Sequence, residues 1–445
     1  MQSAKRIEAF VAALVLSALL AAASPAGAAT TLVHAGELLA VPGEKTQSEK
    51  TIVIRDGAIV SIEDGYRDAA GAGLPPGEVS LIDLSDRFVM PGFIDLHVHL
   101  SSETSPGQKL MMVTLDDADM ALNAAMNARK TLMAGFTTVR NLGSRGRHIM
   151  ALRDAIAAHK VPGPRILDAG HSITPTGGHA DVHGYRPEVN EVLATSGACD
   201  GPDDCRRAVR LQVARGADVI KVTATGGVLS EVGAGTGKQF TDEELRAIVE
   251  TAHALGRKVT AHAHAKAGID AALQAGFDSI EHAMWADEGT MKLFKRQGAW
   301  LIPTVYPITY VGTTPEEMRN GPFGFLPPVI LDKLFALGRQ PKDMTRLAYE
   351  QGVRIALGTD SGVSPHGENA NEFIEYVSIG MSPMEALMAG TVNAADAGGI
   401  DGVGRLAPGY AADIVAMPLS PLQDIEAVLE VDFVMRDGRV YRDGP

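Results

Sequence analysis

Two cysteines are all that the sequence offers, against 13 histidines among 445 residues. A thiolate cluster is thereby excluded, and a metal site here has to be built from nitrogen and oxygen ligands. Basic charge is also short: 40 Lys and Arg face 54 Asp and Glu, a net charge of −14. That balance argues against nucleic acid and anionic membrane surfaces as partners, since both demand basic patches. No long apolar run follows residue 23, so no later segment is expected to span a membrane. Low-complexity linkers and short internal repeats are missing too. What remains, 45% hydrophobic and 21% charged residues, is ordinary globular composition. The length suffices for one large barrel and a smaller companion domain.

The start of the chain reads as a signal peptide over residues 1–28. Lys5 and Arg6 give a basic start, residues 9–23 an apolar core, and Ala26-Gly27-Ala28 a small-residue cleavage site. The core is short for a bilayer span, and an uncleaved anchor is the alternative reading. The cleavage site has no cysteine, which argues against a lipoprotein. Export predicts a periplasmic or secreted protein in an oxidising compartment. Cys199 and Cys205 bracket a turn-rich loop, where a local disulfide and two free thiols are both open.

Short strands and turns fill residues 29–87 and return at 403–445. Asp56-Gly57 and Asp437-Gly438 each sit between two apolar runs, a hairpin signal. The two ends are expected to pair into one small β domain, a β-sandwich. Between them, residues 88–402 alternate short apolar strands with helical segments. Candidate strands begin at Phe88, Thr137, Arg165, Val219, Val259, Ser279, Trp300 and Arg354, eight in all. Thr241 and Glu244 form a capping box, and Ser382-Pro383 opens another helix. The expected fold class is α/β, a TIM-like (β/α)8 barrel with the β-sandwich attached.

In such a barrel the chemistry sits where strands end. The first strand ends in His97 and His99, which share a face because strand side chains alternate. The fourth carries Lys221, the fifth ends in His262 and His264, the sixth in His282, and the eighth in Asp360. One such histidine is ordinary. Five, with a lysine and an aspartate, predict a metal site.

These residues resemble the binuclear metal site of the amidohydrolase superfamily. The resemblance runs from the Val89–His99 motif through Asp278–Ala283 and Leu357–Gly362 to the closing Gly404–Val415 segment. The branch is similar to Xaa-Pro and Xaa-Arg dipeptidases and ochratoxinase-type enzymes. It implies that His97, His99 and Asp360 hold one divalent ion and His262 and His282 a second. Lys221, as a carbamate, would bridge them. Burial suits that role, since it favours the neutral amine that takes up carbon dioxide. His264 is assigned beside the metals, toward the substrate carbonyl; exchanging it with His262 stays open. Zinc suits the ligands best, with manganese, cobalt or iron also open. The implied reaction is amide hydrolysis of dipeptides or N-acyl amino acids by a metal-bridging hydroxide, with Asp360 as general base and then acid.

His179 and Tyr306 are expected to bind substrate, and Arg140 and Arg145 to compete for its carboxylate. The segment 311–342 reads as a lid or an oligomer contact. The resemblance also implies homo-oligomers, with octamers among them. Rival readings are a one-metal cyclic-amide hydrolase or deaminase resembling imidazolonepropionase, and a non-catalytic barrel scaffold.

Overall fold

The computed structural model describes residues 30–73, 79–230, 235–337 and 340–444. The expected signal peptide lies outside the described residues.

Seven strands from the two ends form one hydrogen-bonded sheet. They are β1 (Thr30–Leu38), β2 (Gln47–Arg55), β3 (Ala58–Asp64) and β4 (Val79–Pro91), then β12 (Ile414–Met417), β13 (Phe433–Arg436) and β14 (Arg439–Asp443). Their order is β14-β13-β12-β4-β1-β2-β3, with only β1 and β4 parallel. Both expected hairpins form. Asp56 and Gly57 have φ of 51° and 79°, Asp437 and Gly438 of 48° and 71°, the left-handed pairs that tight hairpins require. Among the described residues the strands of the expected sandwich join in one continuous hydrogen-bonded sheet. Val33, Ile52 and Ile59 near one edge share an apolar cluster with Phe433 and Met435 near the other.

The expected strand from Phe88 is really two. Residues through Pro91 finish β4, and β5 (Phe93–Val98) starts afresh beyond Gly92. A Cβ at Gly92 would lie 2.3 Å from the Thr137 hydroxyl, so only glycine lets the chain cross there. The middle of the chain then builds two parallel sheets. One is β5, β6 (Phe136–Asn141) and β7 (Arg165–Asp168). The other is β8 (Val219–Thr223), β9 (Lys258–Ala263), β10 (Ser279–His282) and β11 (Trp300–Ile302). Parallel bridges link them, Ile173 with Val222 on one side and Leu301 with Ile355 and Val98 with Ser361 on the other.

The expected eighth strand makes only these isolated bridges. Gly358 is pressed against its neighbours: a Cβ there would stand 2.4 Å from the Ile302 side chain and 2.9 Å from that of His97. Asp360 then turns away with φ 55°. Helices follow most strands, and both predicted helix starts form capping boxes, Thr241 with Glu244 and Ser382 with Glu385. Cys199 and Cys205 are bonded, their Cα atoms 4.9 Å apart. No helix of the described residues is long and apolar enough to cross a membrane.

Candidate metal centre

Strand alternation and strand ends together deliver the candidate ligands. His97 lies on β5 and His99 just after it; His262 lies on β9 with His264 just after it; His282 ends β10. Their donor atoms fall into two groups, His97, His99 and Asp360 in one and His262, His264 and His282 in the other. Within each group the atoms lie within 4.8 Å of one another. The groups adjoin, since the rings of His97 and His282 are 5.1 Å apart. Several non-glycine residues at these strand ends sit in the left-handed region: His282, Ala283, Thr304 and Asp360. Each such residue costs of order 1–3 kcal/mol, and strain of this kind gathers at functional sites.

Burial keeps the imidazoles neutral. It pushes His97 down to about 4 and His264 to about 3, and holds His262 and His282 well below their ordinary value. Neutral rings present lone pairs. Asp360 is opposed by burial, but His97, His99 and His282 hold its carboxyl well below the usual range.

Behind the ligands lies a buried support that sequence reading overlooked. Glu281 accepts from Nδ1 of His97 at 2.8 Å and from Arg140 at 2.8 Å, with Thr260 also bonded. Burial works against its charge, yet Arg140, His97 and Lys221 bring it down to about 2. An ionised Glu281 fixes the proton of His97 on Nδ1 and turns Nε2 to the site as a lone pair. Asp95 accepts from the backbone of His97 and Thr359 at 3.0 Å each, tying the first and last ligand segments together. His282 Nδ1 pairs with the Thr304 hydroxyl at 2.7 Å. The signal for Glu281 was its place immediately before His282.

Lys221 is buried, and its Nζ has no hydrogen-bond partner among the described residues. Burial lowers it to about 8, while Glu281 and Asp360 oppose that shift. Its charge in turn depresses His97, His179, His262, His264 and His282. An orphaned amine among five imidazoles, with facing lone pairs on His97 and Asp360, fits a site for divalent cations and an anionic derivative of the lysine.

All seven residues border one cavity of about 470 Å³. His179 borders it as well, stacked on His262 at 4.3 Å, with Nδ1 buried and without a hydrogen-bond partner among the described residues. Tyr306 does not: its hydroxyl donates to Glu368 at 2.7 Å, because its helix, Tyr306–Val311, faces the 368–372 segment there. Arg140 is likewise not a substrate contact but the buried partner of Glu281, which draws it inward. Arg145 does border the cavity. The 311–342 segment, with helices Pro315–Asn320 and Pro328–Leu337, supplies Val311, Phe323, Leu326 and Leu334 to the wall.

Ochratoxinase of Aspergillus niger is 32% identical over 448 residues, 95% of this chain and 88% of the relative. A solved Xaa-Pro dipeptidase with methionine bound in its active site has a TM-score of 0.83 and 37% identity, covering 93% of this chain and 100% of the other. A prolidase complexed with N-methylphosphonate-L-proline has a TM-score of 0.81 and 28% identity, covering 93% and 100%. The amidohydrolase fold of these neighbours is a TIM barrel. The family model described as amidohydrolase family matches residues 88–441, and the chain belongs to that family.

Proposed function

We propose that the chain is a hydrolase with two divalent ions that cleaves the amide bond of dipeptides or N-acyl amino acids and releases the C-terminal amino acid. One observation carries this reading: two three-residue candidate ligand groups and a buried lysine without a hydrogen-bond partner among the described residues border a single cavity. His97, His99 and Asp360 would hold one ion and His262 and His282 the other, with Lys221 as the carbamate bridge and zinc as the metal. Bound ions of this kind acidify water to hydroxide near neutral pH and polarise an amide carbonyl.

The protein's own groups do the rest. Asp360, ionised, accepts the proton of the attacking water and passes it to the departing amine. His264 has a buried, unpartnered Nδ1 and is neutral, so it suits the substrate carbonyl beside the metals. His179 stacks on His262 at the cavity wall and adds a further contact to the substrate. An ochratoxin-type amide, an aromatic acyl group joined to phenylalanine, belongs to the same substrate class.

Export completes the reading: a cleaved signal peptide, a periplasmic or secreted enzyme, and the Cys199–Cys205 bond formed there. A homo-oligomer belongs to it as well, supported by Leu110 and Val113, exposed on a helix that buries no residue. The test is the metal-loaded protein against a broad panel of dipeptides and N-acyl amino acids, with metal content measured per chain. Amide hydrolysis with about two ions supports the proposal. About one ion favours the cyclic-amide rival, and no hydrolysis of any member favours a scaffold. Lys221→Ala should lose metal as well as activity.

A further inference from the structure

We infer that Arg145 receives the carboxylate of the substrate's C-terminal amino acid, an assignment that rests on the amidohydrolase reading and deepens it. The cavity has two unlike walls. Val228, Met284, Ile308, Val311, Phe323 and Leu334 make one of them, and none carries a charge. The loop after β6 makes part of the other, and it brings Arg145 to the cavity.

An anionic substrate end has few places to go. Arg145 and Lys221 are the only Lys or Arg among the described residues bordering the cavity. Lys221 is buried beside the two ligand groups and belongs to the metal centre in the proposed reading. The imidazoles of His97, His99, His262, His264 and His282 border the cavity as members of the two ligand groups.

Arg145 is half-buried and held, yet not spent. Nη1 donates to the Leu193 carbonyl at 3.0 Å, its only side-chain hydrogen bond to a described residue. Four further N–H donors of its fork remain. The carboxylate that acts on it, Asp181, is occupied by its own loop, accepting from Gly177 at 2.7 Å and Val182 at 2.8 Å. The loop also starts against the metal centre. A Cβ on Gly143 would stand 3.8 Å from Cε1 of His99, and Arg145 follows two residues later. A planar fork matches a carboxylate with two parallel bonds, which an ammonium does not.

The test uses the metal-loaded full-length enzyme with an N-acyl amino acid and the matching C-terminal carboxamide. Wild type should prefer the acid in kcat/KM by about 100-fold, the worth of a charged hydrogen-bonded pair. Arg145→Met should bring that ratio close to one, mainly through KM of the acid, and Arg145→Lys should restore part of it. A preference that survives in Arg145→Met, or a variant that loses acid and carboxamide in equal proportion, overturns the assignment and leaves the amidohydrolase reading standing. If wild type hydrolyses neither an N-acyl amino acid nor a dipeptide, that reading fails, and the assignment with it.

Discussion

Nε2 of His97 lies 3.3 Å from Oδ1 of Asp360, and no hydrogen bond joins them. The reason lies on the other side of the ring, where Glu281 holds the single proton on Nδ1 at 2.8 Å. Two lone pairs thus face each other in a buried site, an arrangement that a cation relieves.

Glu281→Gln removes the charge that orients His97 while keeping the shape of the side chain. Metal affinity, measured by competition with a chromogenic chelator, should fall about 10–100-fold. Unchanged affinity in a folded variant would show that Glu281 matters only to packing.

Glu372 gives a pH signature away from the candidate metal centre. Burial raises it to about 8, although it accepts from the backbone of Val305 at 2.8 Å and Tyr306 at 2.7 Å. An unfolded glutamate titrates near 4.3. The folded state therefore binds the extra proton between about 4.3 and 8, and its contribution to stability is lost as pH rises through that window. Glu372→Gln should be less stable than wild type at pH 5, and the difference in Tm should shrink by pH 8. A difference that widens with pH would refute the shift.

Tyr306→Phe separates a packing role from substrate binding. With its hydroxyl on Glu368 and its ring off the cavity, the variant should keep KM within about two-fold and lose roughly 1 kcal/mol of stability. A large rise in KM would return Tyr306 to the substrate.

The disulfide braces a site loop. Thr176 donates its backbone N–H at 3.2 Å and its hydroxyl at 2.6 Å to Asp200, one residue beyond Cys199, and His179 follows on the same loop. Replacing both cysteines by alanine should cost about 2 kcal/mol by chain entropy. It should also raise KM more than it lowers kcat, as should mild reduction of the wild type. Equal KM in the two proteins would mean that the brace does not reach His179.

Much of this site is legible in the chain because barrel chemistry collects at strand ends. His97-Val-His99 and His262-Ala-His264 show their common face through strand alternation. Arg140 and Tyr306 were misread for one shared reason. Both are polar residues near strand ends, and only the packing reveals that Glu281 and Glu368 already occupy them. The eighth strand was misread because Gly358 and Asp360 look like strand-end residues while their backbone serves close packing and a left-handed turn.

The sequence by itself determined the donor types, their order along the chain, the hairpin tips and the helix starts, since these depend on neighbours a few residues apart. Tertiary structure alone decided that His264 lies in one group with His262 and His282, that Glu281 governs the proton of His97, and that Arg145 rather than Arg140 borders the cavity. Those outcomes depend on contacts between residues far apart in the chain, where burial and charge act through space.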